Sequence, residues 1–371
     1  MSETKSLKKL PEIGRARTSD RLVVITGGSG FIGTNLAHAI ASSGRRVRLL
    51  DNLSRPGVEH NLRWLRETHG ERVAIEVADV RDPFAVRRAV AGAETVFHFA
   101  AQVAVTTSLD DPVQDFEVNV RGTLNVLEAA RAQEKPPALL FTSTNKVYGG
   151  MEDVPLRRRG QRYEPCDETL RVRGFGEGRP LDFHSPYGCS KGAADQYVLD
   201  YARSYGLRTA VFRMSCIYGP HQFGTEDQGW VAHFLIRALE ERPITLYGDG
   251  MQVRDVLYVD DLVRAFLLAE ESIGRIAGQA FNMGGGPANT ISLLELMDLI
   301  EKLHGRRPRV FHEDWRTGDQ RYYVSDPSKF TAATGWRPRV NVHGGVSNLY
   351  NWLLESRGLA EAPVAAGAHA S

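Results

Sequence analysis

The sequence predicts an α/β fold in which a doubly wound parallel sheet is followed by a smaller mixed α/β domain. Short β-branched runs alternate with helical segments through the first 214 residues. Such alternation is typical of strand-helix units joined in one parallel sheet. From about Ser215 the runs become shorter and more mixed. A chain of 371 residues is also long for one core, so two domains or subdomains are expected.

The predicted boundaries follow these changes in pattern. The large domain covers residues 20–214, with an insertion at 150–181, and the second covers mainly 215–356, with some segments returning to the first. Residues 1–19 and the Ala/Gly-rich residues 357–371 are expected to be flexible tails. The insertion is rich in Arg, Gly and Pro, and we expect either a lid or assembly surface or a solvated basic loop.

Composition excludes several classes of function. With 46 basic and 45 acidic residues the net charge is +1, which gives no electrostatic reason to expect nucleic acid or a membrane surface as partner. Cys166, Cys189 and Cys216 match neither a disulfide framework nor a zinc spacing, so we expect a cytoplasmic protein without a metal. No apolar run has the length of a membrane span, and the first residues lack the apolar core of a signal peptide.

The first predicted element is a strand followed by a glycine turn and a helix. The β-branched run Leu22–Thr26 leads into the letters GGSGFIG, and an amphipathic stretch continues to about Ser42. Gly27, Gly30 and Gly33 form a G-x-x-G-x-x-G pattern. Such glycines permit a tight turn, approach of the backbone to a pyrophosphate, and close packing of the helix. This pattern predicts a dinucleotide site of the Rossmann type.

The second predicted strand, Val47–Leu50, indicates which dinucleotide binds. It ends at Asp51, about 20 residues beyond the glycine turn, where an acidic residue contacts the adenosine ribose. A carboxylate there favours NAD because it repels a phosphate on that ribose. Three nearby arginines leave NADP open: Arg45, Arg46 and Arg55.

Further strands continue the alternation and place polar residues at their ends. The predicted strands are Val73–Val77, Thr95–Phe99, Ala138–Thr142 and Thr209–Arg213, with helical segments between them that include residues 111–133. In a doubly wound sheet the ligand lies beyond the carboxyl ends of the strands. Asp79, Ala100, Ala101 and Thr144 fall at such ends.

Tyr187 and Lys191 form the central candidate for catalysis. Ser185 and Pro186 are typical of a helix start, and residues four apart on a helix share one face. A phenol with a reference pKa of about 10 is a weak base unless a nearby cation favours the phenolate. Lys191 can be that cation, although Tyr and Lys at this spacing are common on ordinary helices.

A family resemblance makes the candidate specific. TGGSGFIG, DNLSR, HFAAQVAVTTS, NVRGTLN, TSTNKVYG and the Tyr-x-x-x-Lys pair occur in the order that resembles the extended short-chain dehydrogenases/reductases, the NAD-dependent nucleotide-sugar epimerases and dehydratases. The resemblance covers roughly residues 20–355. It implies tightly bound NAD, a nucleotide-sugar substrate and a homo-oligomer, either dimer or tetramer.

The resemblance also implies roles for individual residues. In the implied catalytic trio Tyr187 takes a hydroxyl proton as hydride leaves the sugar carbon, Lys191 lowers the pKa of Tyr187 and holds the nicotinamide ribose, and Thr144 donates to the sugar oxygen. The implied NAD-binding residues are Gly27, Gly30, Phe31, Ile32, Gly33, Asp51, Asn52, Arg55, Asp79, Val80, Phe99, Ala100, Ala101, Thr142, Tyr187 and Lys191. The implied substrate-binding residues are the Gln102–Val103 stretch, Thr144, Asn145, His184, Ser185, Arg254, Arg316 and Arg321.

Among these, the arginines are candidates for the substrate phosphates. Arg254, in QVRDVLYVDDL, offers a planar fork that suits a pyrophosphate, and a structural ion pair is the alternative. Either Arg316 or Arg321 could be the second phosphate ligand.

Two further stretches concern the reaction itself. Dehydratases of this family carry Asp-Glu directly after the catalytic Thr, whereas this chain has Asn145-Lys146, so dehydration is disfavoured. STNKVYG and DFHSPYGCSKGAADQ are most similar to members that invert carbon 2 of a CDP-linked hexose of the paratose/tyvelose type. A UDP-sugar 4-epimerase, a net dehydrogenase or ketoreductase, and a noncatalytic nucleotide-sensing protein on this fold stay open as alternatives.

Overall fold

The structure is a computed structural model that describes residues 21–316 and 318–359. The tail predicted at 1–19 lies outside these residues, as do residues 360–371 of the second predicted tail. The strands are β1 Leu22–Thr26, β2 Arg46–Asp51, β3 Val73–Val77, β4 Thr95–His98, β5 Ala138–Thr144, β6 Leu156–Arg159, β7 Arg162–Pro165, β8 Thr209–Met214, β9 Cys216–Tyr218, β10 Ile244–Tyr247, β11 Val253–Tyr258, β12 Gln279–Met283, β13 Thr290–Ser292, β14 Val310–Glu313 and β15 Tyr322–Tyr323.

The helices surround these strands. They are α1 Phe31–Ser42, α2 Val58–His69, α3 Pro83–Val90, α4 Val105–Asp110, α5 Pro112–Phe116, α6 Gly122–Arg131, α7 Glu168–Arg173, α8 Ser185–Tyr205, α9 Trp230–Leu239, α10 Val259–Glu271, α11 Ile273–Ile276, α12 Leu293–His304, α13 Ser328–Thr334 and α14 Val342–Ser356. A π-helical stretch, Glu117–Arg121, joins α5 to α6, and a 3-10 turn, Asn145–Tyr148, follows β5.

The large sheet has seven strands in the order β12-β8-β5-β4-β1-β2-β3, and every neighbouring pair is parallel. This confirms the predicted doubly wound α/β fold. Strands β1 and β3 have the predicted bounds, whereas β4 ends one residue early and β5 continues to Thr144. The strand order reverses beside β1, and a crevice forms at the carboxyl ends of the strands on either side of such a point.

Both faces of the large sheet are covered because successive strand residues point to opposite sides. In β1, Val23 and Ile25 pack with α1, α2 and α10, while Val24 packs with α3, α6 and α8 on the other face. Each of these three side chains is completely buried. The apolar run of β1 is therefore continuous rather than alternating, as its sequence shows.

The remaining strands form a second, smaller core. Strand β11 pairs with β9, β13 and β15, and β10 pairs with β14. Helices α9, α12 and α14 bury their apolar faces against these strands. Strand β12 returns to the large sheet, where it pairs with β8. No helix among residues 21–316 and 318–359 is long and apolar enough to cross a membrane.

The Arg-rich insertion is a β-hairpin followed by a short helix. Strands β6 and β7 are antiparallel, and Arg162 binds Glu295 with distances of 2.5 and 2.7 Å. The Tyr163 hydroxyl donates to Asp249 at 2.6 Å. Alternate residues of β7, Tyr163 and Pro165, are buried. The sequence reading missed this hairpin because two alternating buried positions are too few to stand out among the arginines.

Candidate active site

A cavity of about 580 Å³ opens at the carboxyl ends of β1, β4 and β5 and reaches the smaller core. It brings together many of the residues that were predicted to bind cofactor or substrate. Those that line it are Gly27, Gly30, Phe31, Ile32, Gly33, Arg55, Phe99, Ala101, Val103, Thr142, Thr144, Asn145, Tyr187, Lys191, Arg254 and Arg316. This size is in the range of small-molecule sites.

The glycine turn has room for backbone approach to a ligand but none for side chains. Gly27 has a φ of +67°, and a Cβ there would lie 2.8 Å from the Ala100 nitrogen. A Cβ on Gly33 would lie 2.4 Å from the Gly27 oxygen. Only glycine fits at these two positions, which keeps the start of α1 open to a phosphate.

Unpartnered hydroxyl groups in the cavity wall also fit a polar cofactor. Ser143 and Thr106 line the cavity, and their side-chain oxygens are buried without a hydrogen-bond partner in the described part of the chain. Buried polar groups in native proteins are nearly always bonded. These two atoms and the glycine turn therefore suit a dinucleotide, whose ribose and amide groups can supply donors and acceptors.

Several predicted cofactor residues lie behind the cavity wall. The Asp51 carboxylate accepts from the Ser29 and Leu53 nitrogens, both at 2.9 Å, and burial raises its pKa despite those bonds. Asn52 donates to Asp79 at 2.9 Å. The Arg81 guanidinium, which binds Asp79, lowers the pKa of that carboxyl to about 2. Asp51 at the end of β2 thus stabilises the glycine turn itself, and its predicted ribose contact stays a prediction.

Val80 and Ala100, which were also predicted to bind the cofactor, are apolar residues that pack behind the cavity wall. Val80 is buried and would meet a Cβ added to Gly122 at 2.8 Å, while Ala100 lies against Gly27. Arg45, which had left NADP open, is bonded to Glu270 at 2.6 and 2.7 Å. Its charge is therefore already neutralised.

Four predicted substrate residues lie away from the cavity lining. The Gln102 side chain donates to the Ala104 oxygen at 2.8 Å and to Asp115 at 3.0 Å, so it points into the protein and Val103 lines the cavity instead. His184 is exposed and lies 3.1 Å from Asp182. The Ser185 hydroxyl accepts from the Gly188 nitrogen, as a helix cap does.

Arg321 is the fourth of these. It is exposed and lies over the rings of Tyr163 and Trp315, at 5.9 and 5.3 Å from their centroids. Arg316, by contrast, lines the cavity, stacks on Tyr247 at 3.8 Å and lies 3.3 Å from Asp227. Of the two candidates for the second phosphate ligand, the structure therefore places Arg316 in the cavity.

The three predicted catalytic residues meet where α8 packs against the end of β5. The Tyr187 backbone nitrogen donates to Ser108 at 3.1 Å, which fixes the first turn of α8. Lys191 Nζ donates to the Thr142 oxygen at 2.7 Å. The Thr144 hydroxyl accepts from the Lys146 nitrogen at 3.2 Å, and it sits within the same cavity.

Burial dominates the acid-base properties of this trio. It raises the pKa of Tyr187 to about 12, while the neighbouring Thr144 hydroxyl and the charge of Arg55 act in the opposite direction. Burial also lowers the pKa of Lys191 to about 7, opposed by Asp195 and Asp115. The charge of Arg55 lowers the pKa of Tyr187, and Lys191 Nζ is bound to the Thr142 oxygen. The predicted effect of Lys191 on the pKa of Tyr187 stays a prediction.

The substrate side of the cavity contains charges that are already paired. Arg254 is buried and donates to Asp319 at 2.8 Å and to the Val253 oxygen at 2.9 Å. Arg254 therefore forms the structural ion pair that was given as the alternative, and it also lines the cavity, where a phosphate ligand was predicted. Lys146 and Asp319 line the cavity as well, and the sequence reading assigned neither of them a role in binding. In the stretch that contains Asp319, the predicted phosphate ligands were the two arginines, Arg316 and Arg321.

The fold and this cavity define a class: a nucleotide-cofactor enzyme with a parallel sheet, a glycine turn and a buried Tyr-Lys pair. The comparisons agree with it. The model of the NAD dependent epimerase/dehydratase family matches residues 23–284. The chain belongs to that family, and it is an enzyme whose cofactor is NAD. The resemblance predicted from the motifs is confirmed.

Individual relatives narrow the comparison. The chain is 44% identical over 343 residues to "CDP-paratose 2-epimerase" of Salmonella typhi, covering 89% of this chain and 98% of that protein. It is 33% identical to the crystal structure of Thermus thermophilus UDP-glucose 4-epimerase in complex with NAD, with a TM-score of 0.74 over 91% of this chain and 100% of that one. The Thermotoga maritima UDP-glucose 4-epimerase with UDP-glucose is 29% identical, with a TM-score of 0.77 over 91% and 99%.

Proposed function

We propose that this enzyme inverts carbon 2 of a CDP-linked hexose, in the manner of CDP-paratose and CDP-tyvelose interconversion. The observation that carries the proposal is the 44% identity to the Salmonella typhi protein, which extends over 98% of that protein. The residues after Thr144 agree with it, because Asn145 and Lys146 place no carboxyl group beside Thr144 for an elimination. The proposed reaction leaves the oxidation state of the sugar unchanged.

The chain's own residues have defined tasks in this reaction. NAD, held at the glycine turn Gly27–Gly33, would supply the hydride acceptor and donor for the sugar carbon. Tyr187, as the phenolate, takes the proton of the hydroxyl group on that carbon when the hydride leaves, and it returns the proton to the same oxygen when the hydride comes back. Because burial raises the pKa of Tyr187 to about 12, the site has to stabilise this phenolate. Thr144 bonds the same oxygen, and Arg55 favours the phenolate.

The diphosphate of the substrate would bind on the other side of the cavity. Arg254 and Arg316 both line that side, and guanidinium groups match phosphate oxygens in pairs. Each already has a carboxylate neighbour, Asp319 or Asp227, which holds the guanidinium in place. This arrangement supports a site that is ordered before a nucleotide sugar enters, which lowers the cost of binding.

A homodimer is the assembly that the exposed surface supports. Leu109, Val113 and Phe116 are each about half exposed or more, on short helices that pack against α8, and α8 itself exposes Tyr197. Exposed apolar side chains on helices that pack together are typical of interaction surfaces. Light scattering on a sizing column tests the dimer. Val113→Glu should give monomers. Phe311→Glu, at an exposed apolar residue of β14, is the control and should leave the assembly unchanged.

The second candidate is a UDP-sugar 4-epimerase, favoured by the two solved 4-epimerases that share this fold over nearly their whole length. One experiment separates the two. The purified enzyme is incubated with CDP- and UDP-hexoses in deuterated water, and products are followed by proton NMR. Inversion at carbon 2 of a CDP-sugar without solvent deuterium supports the proposal, while inversion at carbon 4 supports the second candidate. Deuterium at the inverted carbon would contradict internal hydride return.

A further inference from the structure

The turn that follows Thr144 is bonded to residues Gly318–Gln320, here called the latch segment. Lys146 supplies one half of this connection. Its Nζ donates to the Gly318 carbonyl oxygen at 3.0 Å and lies 3.6 Å from Asp319 Oδ1. The Lys146 side chain, 22% exposed, lines the cavity together with Thr144. A single ammonium group therefore joins the catalytic turn to a segment from the far end of the chain.

Amide side chains supply the other half. The Thr144 hydroxyl donates to Asn145 Oδ1 at 3.3 Å, and Asn145 Nδ2 donates to Gln320 Oε1 at 3.1 Å. Gln320 is completely buried, and its Nε2 donates to the Gly149 oxygen at 2.7 Å. A continuous chain of hydrogen bonds thus runs from Thr144 to the latch segment. Buried chains of this kind rigidify the groups they connect.

The charges in this region connect the latch segment to the candidate phosphate ligand. Asp319 is shared by Lys146 and by Arg254, whose Nη2 donates to it at 2.8 Å. Burial by itself would raise the pKa of the Asp319 carboxyl, but Arg254 and Lys146 outweigh it and keep that pKa below its usual value. Two cations and one carboxylate leave a net charge of +1 facing the cavity. Without Lys146, the Asp319 carboxylate would be left with Arg254 as its cationic partner.

We infer that Asn145 and Lys146 are positioning residues that fix the distance between the two ends of the substrate site. They hold the latch segment against the turn that carries Thr144, and Asp319 passes that restraint to Arg254. The inference rests on the proposed function, in which one ligand has its reacting hydroxyl at Thr144 and its diphosphate at Arg254. Small errors in such a distance are costly, because reacting atoms must be held close to their final geometry.

Hydrogen exchange measured by mass spectrometry tests the latch directly. The variants are Lys146→Met, the conservative Lys146→Arg, and Lys329→Met as the matched control. Lys329 also donates to a carbonyl oxygen, that of Ala280 at 2.8 Å, but it does not line the cavity. In Lys146→Met, peptides covering residues 318–323 should exchange about tenfold faster or more, because a charged hydrogen bond is lost. Lys329→Met should leave these peptides unchanged.

Kinetics with the CDP-hexose separates positioning from general structure. We expect Lys146→Met to raise KM about tenfold and to lower kcat less, since Arg254 is then engaged more fully by Asp319. Lys146→Arg should recover part of the exchange protection and part of the KM. The NAD content should stay at the wild-type value in all three variants.

Two outcomes would overturn the inference. Unchanged exchange in Lys146→Met would show that the latch does not depend on this ammonium, and a raised KM would then assign Lys146 to direct ligand contact. Faster exchange with unchanged KM would show that the latch does not position the substrate. If wild-type enzyme converts no CDP-hexose, the proposed function fails, while the exchange comparison still decides whether Lys146 holds the latch segment.

Discussion

The two halves of the cavity are built in different ways. The cofactor half, around Gly27–Gly33 and Phe99–Ala101, consists largely of backbone at the ends of neighbouring parallel strands. The substrate half consists of charged and aromatic side chains from widely separated segments, among them Lys146, Arg254 and Arg316. The first half depends on space that side chains would fill, and the second depends on charges that must be balanced.

This difference determines how each half can vary. A backbone site has few acceptable residues, because a Cβ in the wrong place collides with main-chain atoms that cannot move aside. A side-chain site can change its ligand by exchanging charges, provided that each buried charge keeps a partner. Asp319, which pairs with both Arg254 and Lys146, is such a partner. We therefore expect cofactor identity to be fixed by geometry and substrate identity by the charge network.

The largest effect is expected from Gly33→Ala in the cofactor half. The new Cβ would lie 2.4 Å from the Gly27 oxygen and 2.7 Å from Gly28 Cα, so backbone must shift. We expect the purified variant to retain no NAD, as measured by the nucleotide released on denaturation. Gly274→Ala, where a Cβ meets nothing within 4 Å, is the control and should retain wild-type NAD. A Gly33→Ala protein with full NAD content would contradict the view of a rigid backbone site.

Tyr187→Phe should have the next largest effect. The phenyl ring keeps the packing of this buried residue, but the group that exchanges the proton is lost. We expect kcat to fall by about 10²- to 10⁴-fold, the usual contribution of a general acid-base group. NAD content and melting temperature should remain near wild type. Tyr197→Phe, an exposed position on the same helix, is the control. Retained activity in Tyr187→Phe would move proton transfer to another group.

The sequence predicted the fold of the cofactor half well because its signals are local. The run Leu22–Thr26 is bounded by the glycine turn, and Val73–Val77 is followed by Asp79, so both strands could be placed to the residue. The Tyr187 and Lys191 pair needed only helical spacing to be placed on one face. In each case a few neighbouring residues determine both the local secondary structure and the role predicted for it.

The arrangement of the substrate half could not be predicted from such local signals. The pairing of Lys146 with Asp319 joins residues that lie far apart in the chain, and no local pattern reports it. The loop after β4 shows the same limit on a smaller scale. Asn119 bonds the backbone of Gln102 at 2.9 and 3.0 Å and so fixes which neighbour faces the cavity. Of the predicted Gln102–Val103 stretch, Val103 therefore lines the cavity and the Gln102 side chain does not.

A smaller effect should separate two arginines of one motif. Arg316 lines the cavity and Arg321 does not, although the sequence treats them alike. Arg316→Met should raise KM for the nucleotide sugar about tenfold or more, because a charged hydrogen bond to phosphate is lost. Arg321→Met should leave KM within about twofold, as for an exposed charge. The reverse order would show that the phosphates lie outside the cavity described.

The smallest effect expected is a dependence of the free energy of unfolding on pH. One buried lysine in each half of the cavity contributes to it. Burial lowers the pKa of Lys191 to about 7, and it lowers the pKa of Lys146 as well. An unfolded lysine still binds its proton between pH 7 and its ordinary pKa, whereas folded Lys191 has lost it. The unfolded state therefore binds more protons, and the free energy of unfolding rises with pH through this window, by at most about 1.4 kcal/mol per pH unit for one group.

Urea unfolding of nucleotide-stripped protein between pH 7.5 and 9.5 measures this slope. This range lies below that in which Tyr187, whose pKa is raised to about 12, would act with the opposite sign. Lys191→Met should flatten the slope most, because its pKa is displaced to the bottom of the window, and Lys146→Met should flatten it less. Lys329→Met serves again as the comparison; its pKa is lowered too, but its side chain is only partly buried. Equal slopes in wild type and Lys191→Met would mean that Lys191 keeps its proton in the folded protein. The cofactor half would then contain a buried ammonium group that stays charged across this pH range.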